Sequence, residues 1–195
     1  MFKRISDSLV NYQIKKEYLK ETERELYEYA YEIMVMQSIN IAASFVVAAI
    51  FHKMIPITIF LVFYIPLRIF AGGNHAKTNE ICSVVSICII IGVCIAMDAC
   101  KNVPIFSFTI LETVAGAVIF FLSPVEDCNK PLCIAENRKY KKTARKILLC
   151  QMCFCFIIRY LRIEEIERVI VISHILLACT LMIGEYKNRK RQKSS

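Results

Sequence analysis

Six apolar runs of fifteen to nineteen residues constrain this chain more than any other feature: Ile33–Phe51, Ile55–Phe70, Ile81–Ala99, Pro104–Leu122, Ile147–Leu161 and Val169–Gly184. A helix perpendicular to a bilayer needs about 20 apolar residues to cross the hydrocarbon. The first, third and fourth runs meet that length. The second and fifth are short and read as tilted, bilayer-thinning or re-entrant segments, and the last is intermediate. The expected fold is therefore an all-α integral membrane protein with six hydrophobic helical segments, four to six of them true spans. Composition agrees, because 56% of the 195 residues are hydrophobic, where a soluble domain carries about 45–50%. With 12 Phe and 9 Tyr, the chain is the opposite of a disordered one. A single polytopic domain over residues 1–195 follows.

The charges orient these runs. Residues 1–32 place Leu9, Tyr12, Leu19, Leu26 and Tyr29 at helical spacings among Lys3, Arg4, Lys15, Lys16, Glu17, Glu21 and Glu25. That pattern predicts an amphipathic interfacial helix; no cleavable signal peptide is expected in so polar a start. With six crossings and the amino terminus inside, twenty Lys and Arg fall on cytoplasmic parts and five outside. This is a strong positive-inside asymmetry. Both termini, the junction at 66–82, a basic loop at 124–146 and the basic tail 185–195 are thus expected in the cytoplasm. The net charge of +8 reads as orientation signals and contacts with anionic membrane lipid, not as a nucleic-acid footprint.

The stretch from Pro66 to Cys82 holds the Gly72-Gly73 pair, His75 and a cysteine at the edge of an apolar run. A cysteine nucleophile needs a base to form thiolate and donors for the developing oxyanion. On one uninterrupted helix, His75 and Cys82 would lie about 10 Å apart along the axis. Within one chain they meet only if the backbone turns between them. Gly72-Gly73-Asn74 offers that freedom, and Thr78 or Asn79 can cap a new helix. Cys82 then falls in the first turn of that helix, where the amino-terminal end and a nearby imidazolium favour thiolate. Arg68, a charge near the end of an apolar run, either supports such a site or snorkels to the interface.

The string Arg68-x-x-Ala71-Gly72-Gly73-x-His75-Ala76-x(5)-Cys82 resembles the signature of the AgrB family, the accessory gene regulator B peptidases of Gram-positive quorum sensing. The opening (Ile5 to Leu9, then Glu25 to Tyr29) and Ser123-Pro124-Val125-Glu126-Asp127 followed by Asn129-Lys130-Pro131 are similar to that family too. The resemblance implies a bacterial cell-membrane cysteine endopeptidase, a second copy of the chain forming a homodimer, and a short AgrD-like propeptide as substrate. By motif position Cys82 is the nucleophile and His75 its base, with Arg68, Gly72 and Gly73 in support. No metal or organic cofactor is implied. Lys130, Arg138, Lys139, Lys141, Lys142 and Arg145 are the hypothetical contacts for an acidic propeptide tail, although the positive-inside rule explains the same charges without a substrate.

Two other functions compete. A small transporter or peptide exporter would also carry charges such as Glu112 in its spans, yet no inverted repeat or paired broken helix is visible. A non-enzymatic scaffold would explain the runs but not Gly-Gly-x-His with a cysteine at an interface. Cys150-x-x-Cys153-x-Cys155 lacks the second ligand pair of a zinc site and reads as packing. His174 reads as a polar interhelical contact. Glu112, deep in the fourth run, must face protein, water or a partner.

Overall fold

Helices account for nearly all of the computed structural model of the chain, which describes residues 2–16, 18–73, 79–125 and 134–192. Seven α-helices follow one another among these residues: α1 Phe2–Lys15, α2 Arg24–Ile50, α3 Met54–Ala71, α4 Asn79–Ala99, α5 Ile105–Leu122, α6 Ile134–Tyr160 and α7 Glu164–Gln192. Among the described residues, five stretches are long and apolar enough to cross a membrane: Glu21–Ile50, Met54–Ala71, Ile81–Ala99, Ile105–Leu122 and Glu164–Arg191. The all-α membrane architecture is as expected from the runs.

Several boundaries differ from the sequence reading, each for a local reason. The amino-terminal segment is two pieces rather than one amphipathic helix. The first helix stops at Lys15, a 3-10 turn covers Glu21–Glu23, and residues from Arg24 onward already belong to α2. Arg24 secures the corner by donating to Glu21, Asn11 and Glu28. The second run is not short, since α3 extends it to 18 residues. The 66–82 segment is helical at both ends, leaving only residues 72–78 between α3 and α4. The basic segment is likewise no loop from Ile134 onward. It continues into the fifth apolar run as one 27-residue helix, because Ala144, Leu148, Cys155 and Ile158 form a buried stripe along it.

Consecutive helices from α2 to α7 run back and forth, which gives the bundle two chemically distinct ends. At one end the α2–α3, α4–α5 and α6–α7 corners converge. A cleft of about 680 Å³ there is lined by His52, Lys53, Lys101 and Glu165 among others, and Lys53 reaches Asp98 at 2.8 Å. At the other end the α3–α4 and α5–α6 connections meet through a backbone bridge between Gly72 and Val125.

Helix α7 is the central post. Half of its apolar window is buried inside the protein, against 22–28% for the other four. Leu177, Ala178 and Leu181 of α7 pack with Leu67, Ala71, Ala115, Ile119, Val125, Ala144 and Leu148. That cluster sits directly beneath the Gly72–Val125 bridge. A second cluster joins α2, α3 and α4 to Val169. Apolar side chains such as Val62, Ile69, Phe106 and Phe121 point outward, as a lipid-facing surface requires.

A polar tie crosses this apolar interior. The Nδ1 of His174 lies 2.8 and 3.0 Å from the two carboxylate oxygens of Glu112. Its Nε2 lies 3.0 Å from Oε1 of Gln151, whose Nε2 donates to the Phe63 carbonyl at 2.9 Å. Helices α3, α5, α6 and α7 are thereby linked. The expectation that His174 makes an interhelical contact, and that Glu112 faces protein, meets in this pair.

Candidate active site

Helix α3 ends in a turn that only glycine accepts easily. Gly72 has φ 73° and ψ −141°, and Gly73 has φ 111°; side chains with a Cβ rarely adopt such values. The turn is also crowded. A Cβ on Gly72 would come within 2.2 Å of the Val125 carbonyl oxygen, and one on Gly73 within 2.0 Å of Arg68 Nη1. The sequence reading asked this pair for backbone freedom, and the geometry shows close approach as a second reason for it.

Two backbone hydrogen bonds hold the turn to the start of the α5–α6 connection. The Gly73 N–H donates to the Val125 carbonyl at 3.0 Å, and the Val125 N–H donates to the Ala71 carbonyl at 2.9 Å. The pairing is parallel. Val125 is buried, and the Ser123-Pro124 peptide before it is cis. Two motifs fifty residues apart in the chain, Arg68 to His75 and Ser123 to Asp127, therefore begin from one place.

Arg68 sits in the last turn of α3 and curls over this turn. Its Nη1 donates to the Gly72 carbonyl and to Thr180 Oγ1 at 3.3 Å. Tyr64, one helical turn earlier, is a near neighbour of Thr180, Arg68 and Cys82. Cys82 is the fourth residue of α4, so the expectation of a first-turn cysteine holds. It is a free, partly exposed thiol. The Ser86 hydroxyl donates to the Cys82 carbonyl at 2.9 Å, which occupies the backbone oxygen.

The structure thus brings Arg68, Gly72, Gly73 and Cys82 to one end of the bundle. His75 and Lys130 fall outside the described residues. The basic half of α6 stands beside this end: Tyr140 packs its ring 5.6 Å from that of Phe70 in α3. Arg138, Lys139 and Lys142 are exposed and Lys141 is half-buried. Arg145 is engaged elsewhere, with its guanidinium 4.1 Å over the Phe120 ring and Nε donating to the Phe120 carbonyl at 3.2 Å. Among the described residues no group of three or more His, Cys, Asp or Glu is placed to hold a metal. The cysteines of the Cys150-x-x-Cys153-x-Cys155 run are free; Cys155 is buried and the other two are exposed.

Sequence reasoning did not single out Tyr64 or Thr180. Their only signal was polarity inside apolar runs, which membrane helices tolerate for many reasons. Tyr64 stands one helical turn before Arg68, a neighbour spacing on a helix, whereas nothing local ties Thr180 to it.

The accessory gene regulator B (AgrB) family model matches residues 3–183 of the chain. A relative described as AgrB-like, from Clostridium perfringens (strain SM101 / Type A), is 26% identical over 148 residues, spanning 72% of this chain and 69% of that protein. No solved structure matches the chain.

Proposed function

Since the chain belongs to the AgrB family, we propose that it is a membrane cysteine endopeptidase that matures a short AgrD-like propeptide into a cyclic quorum-sensing peptide. The observation that carries this reading is the position of Cys82. A free, accessible thiol stands in the first turn of α4, at the bundle end where the Gly72-Gly73 turn launches the segment containing His75.

The chemistry needs only this chain and the propeptide. His75 takes the Cys82 proton, and the sulfur attacks a carbonyl carbon near the propeptide's carboxyl end. N–H groups at the amino terminus of a helix are suitable donors for the oxyanion that develops. The C–N bond breaks, His75 returns its proton to the leaving amine, and the acidic tail departs. The rest of the peptide stays on Cys82 as a thioester. An internal substrate cysteine then gives its proton to His75, attacks the thioester carbon and expels the Cys82 thiolate, closing a thiolactone. A substrate serine would close a lactone. One acyl–sulfur bond replaces another, so ring closure depends on positioning and exclusion of water rather than on driving force. Both termini and this end of the bundle are assigned to the cytoplasm from the distribution of Lys and Arg; membership of the family is the basis for placing the protein in the bacterial cell membrane as a homodimer.

The test is cleavage of the cognate propeptide by protein reconstituted in lipid vesicles. Cys82→Ala and His75→Ala are each expected to abolish cleavage with insertion unchanged. Cleavage that survives Cys82→Ala removes the nucleophile and leaves a carrier or scaffold.

The exposed charge on α6 is assigned to the propeptide's acidic tail. Converting Arg138, Lys139 and Lys142 to Gln together is expected to raise KM in a salt-sensitive manner. At about 0.4 kcal/mol for each exposed pair, the increase is roughly eightfold at low salt. A KM that does not change, or does not respond to salt, returns these residues to the role of orientation signals.

A further inference from the structure

The Thr180 hydroxyl is committed as both donor and acceptor, and the commitments reveal a direction. It donates its one hydrogen to the Leu177 carbonyl at 2.8 Å. Toward every other neighbour it is therefore an acceptor, and it receives Arg68 Nη1 at 3.3 Å. The adjoining residue, Leu181, approaches to 3.4 Å of where a Gly73 Cβ would stand. Helix α7 thus touches the turn through two successive residues, one polar and one apolar.

We propose that Thr180 is a positioning residue of the peptidase site: through Arg68 it fixes the Gly72-Gly73 turn at the bundle end that carries Cys82. Arg68 alone is a long, flexible side chain whose ordering is costly. Two acceptors on different elements, the Gly72 carbonyl and the Thr180 hydroxyl, confine its guanidinium to one placement. The second comes from the most buried of the five apolar spans, which makes it a fixed reference. This inference rests on the peptidase reading and extends the site to α7.

The experiment uses the full chain in vesicles and the propeptide encoded beside its gene. Thr180→Val keeps the shape and removes the hydroxyl acceptor; Thr180→Ser keeps it. Thr180→Val is expected to lower kcat about tenfold, equivalent to ~1.4 kcal/mol in the barrier, with KM unchanged. Thr180→Ser is expected to recover most of that rate. In an Arg68→Ala background, Thr180→Val should add no further loss, since its effect passes through Arg68. A wild-type kcat in Thr180→Val, or a full additive loss on top of Arg68→Ala, overturns the inference alone. Cleavage that persists with Cys82→Ala overturns it together with the peptidase reading.

Discussion

His174→Ala is expected to destabilise the helix bundle by about 3–5 kcal/mol, the range for removing one partner of a buried ion pair. The argument is one of hydrogen-bond accounting. The Phe63 carbonyl only accepts, so the Gln151 amide must turn its N–H₂ toward it. That leaves the Gln151 carbonyl oxygen facing His174 Nε2, which must then carry a hydrogen. On the other side of the ring, Nδ1 faces the Glu112 carboxylate. Without the imidazole, the Glu112 side chain, only 8% exposed, is left without its partner among apolar helices. Glu112→Gln keeps a hydrogen-bonding group at the site and is expected to cost about 1–2 kcal/mol. Detergent-titration midpoints of the purified variants measure both. Equal midpoints for His174→Ala and wild type would contradict this account of the interior.

Gly72→Ala carries the second large effect. The positive φ alone costs of order 1–3 kcal/mol for a residue with a Cβ. The 2.2 Å approach to the Val125 carbonyl then forces one backbone segment away from the other. Misplacing a reacting group by about 1 Å costs roughly a hundredfold in rate, so cleavage should fall by at least that factor. Gly73→Ala differs instructively. Its φ of 111° also strains a Cβ, but its nearest obstacle is the end of the Arg68 side chain rather than backbone, so the Cβ clash is relieved at the expense of the Arg68 contacts and activity should fall with a smaller loss of stability. Comparing kcat and midpoint for the two variants checks the geometry. A fully active Gly72→Ala enzyme would show that the Gly72–Val125 bridge does not position the site.

The residues that misled the sequence reading show what hydropathy leaves out. Arg138 to Lys146 drew the eye as a loop because a window average sees their charge. Helical spacing of Tyr140, Ala144, Leu148 and Gln151 continues through them, and that periodicity was legible. The corner after Lys15 carries no glycine or proline, and it closes through Arg24 and its three acceptors, which no local pattern announces. At the site, the need for a turn before His75 was readable from Gly72-Gly73 and from the rise of a helix. The partner of that turn was not. Val125 reaches Gly73 through backbone atoms, and backbone pairing leaves no mark on side-chain identity. Thr180 lies 112 positions from Arg68 and looks like any tolerated hydroxyl in a membrane helix. Glu112 announced that it needed a partner but not which one.

The central claim is that Cys82 carries the propeptide as a thioester. The most direct measurement is the intact mass of the protein during turnover in vesicles, with peptide mapping of Cys82. The account predicts an adduct on Cys82 equal to the propeptide without its carboxyl-terminal tail, released by hydroxylamine and absent from Cys82→Ala. Turnover of the propeptide with Cys82 unmodified throughout, and undiminished in Cys82→Ala, would contradict it.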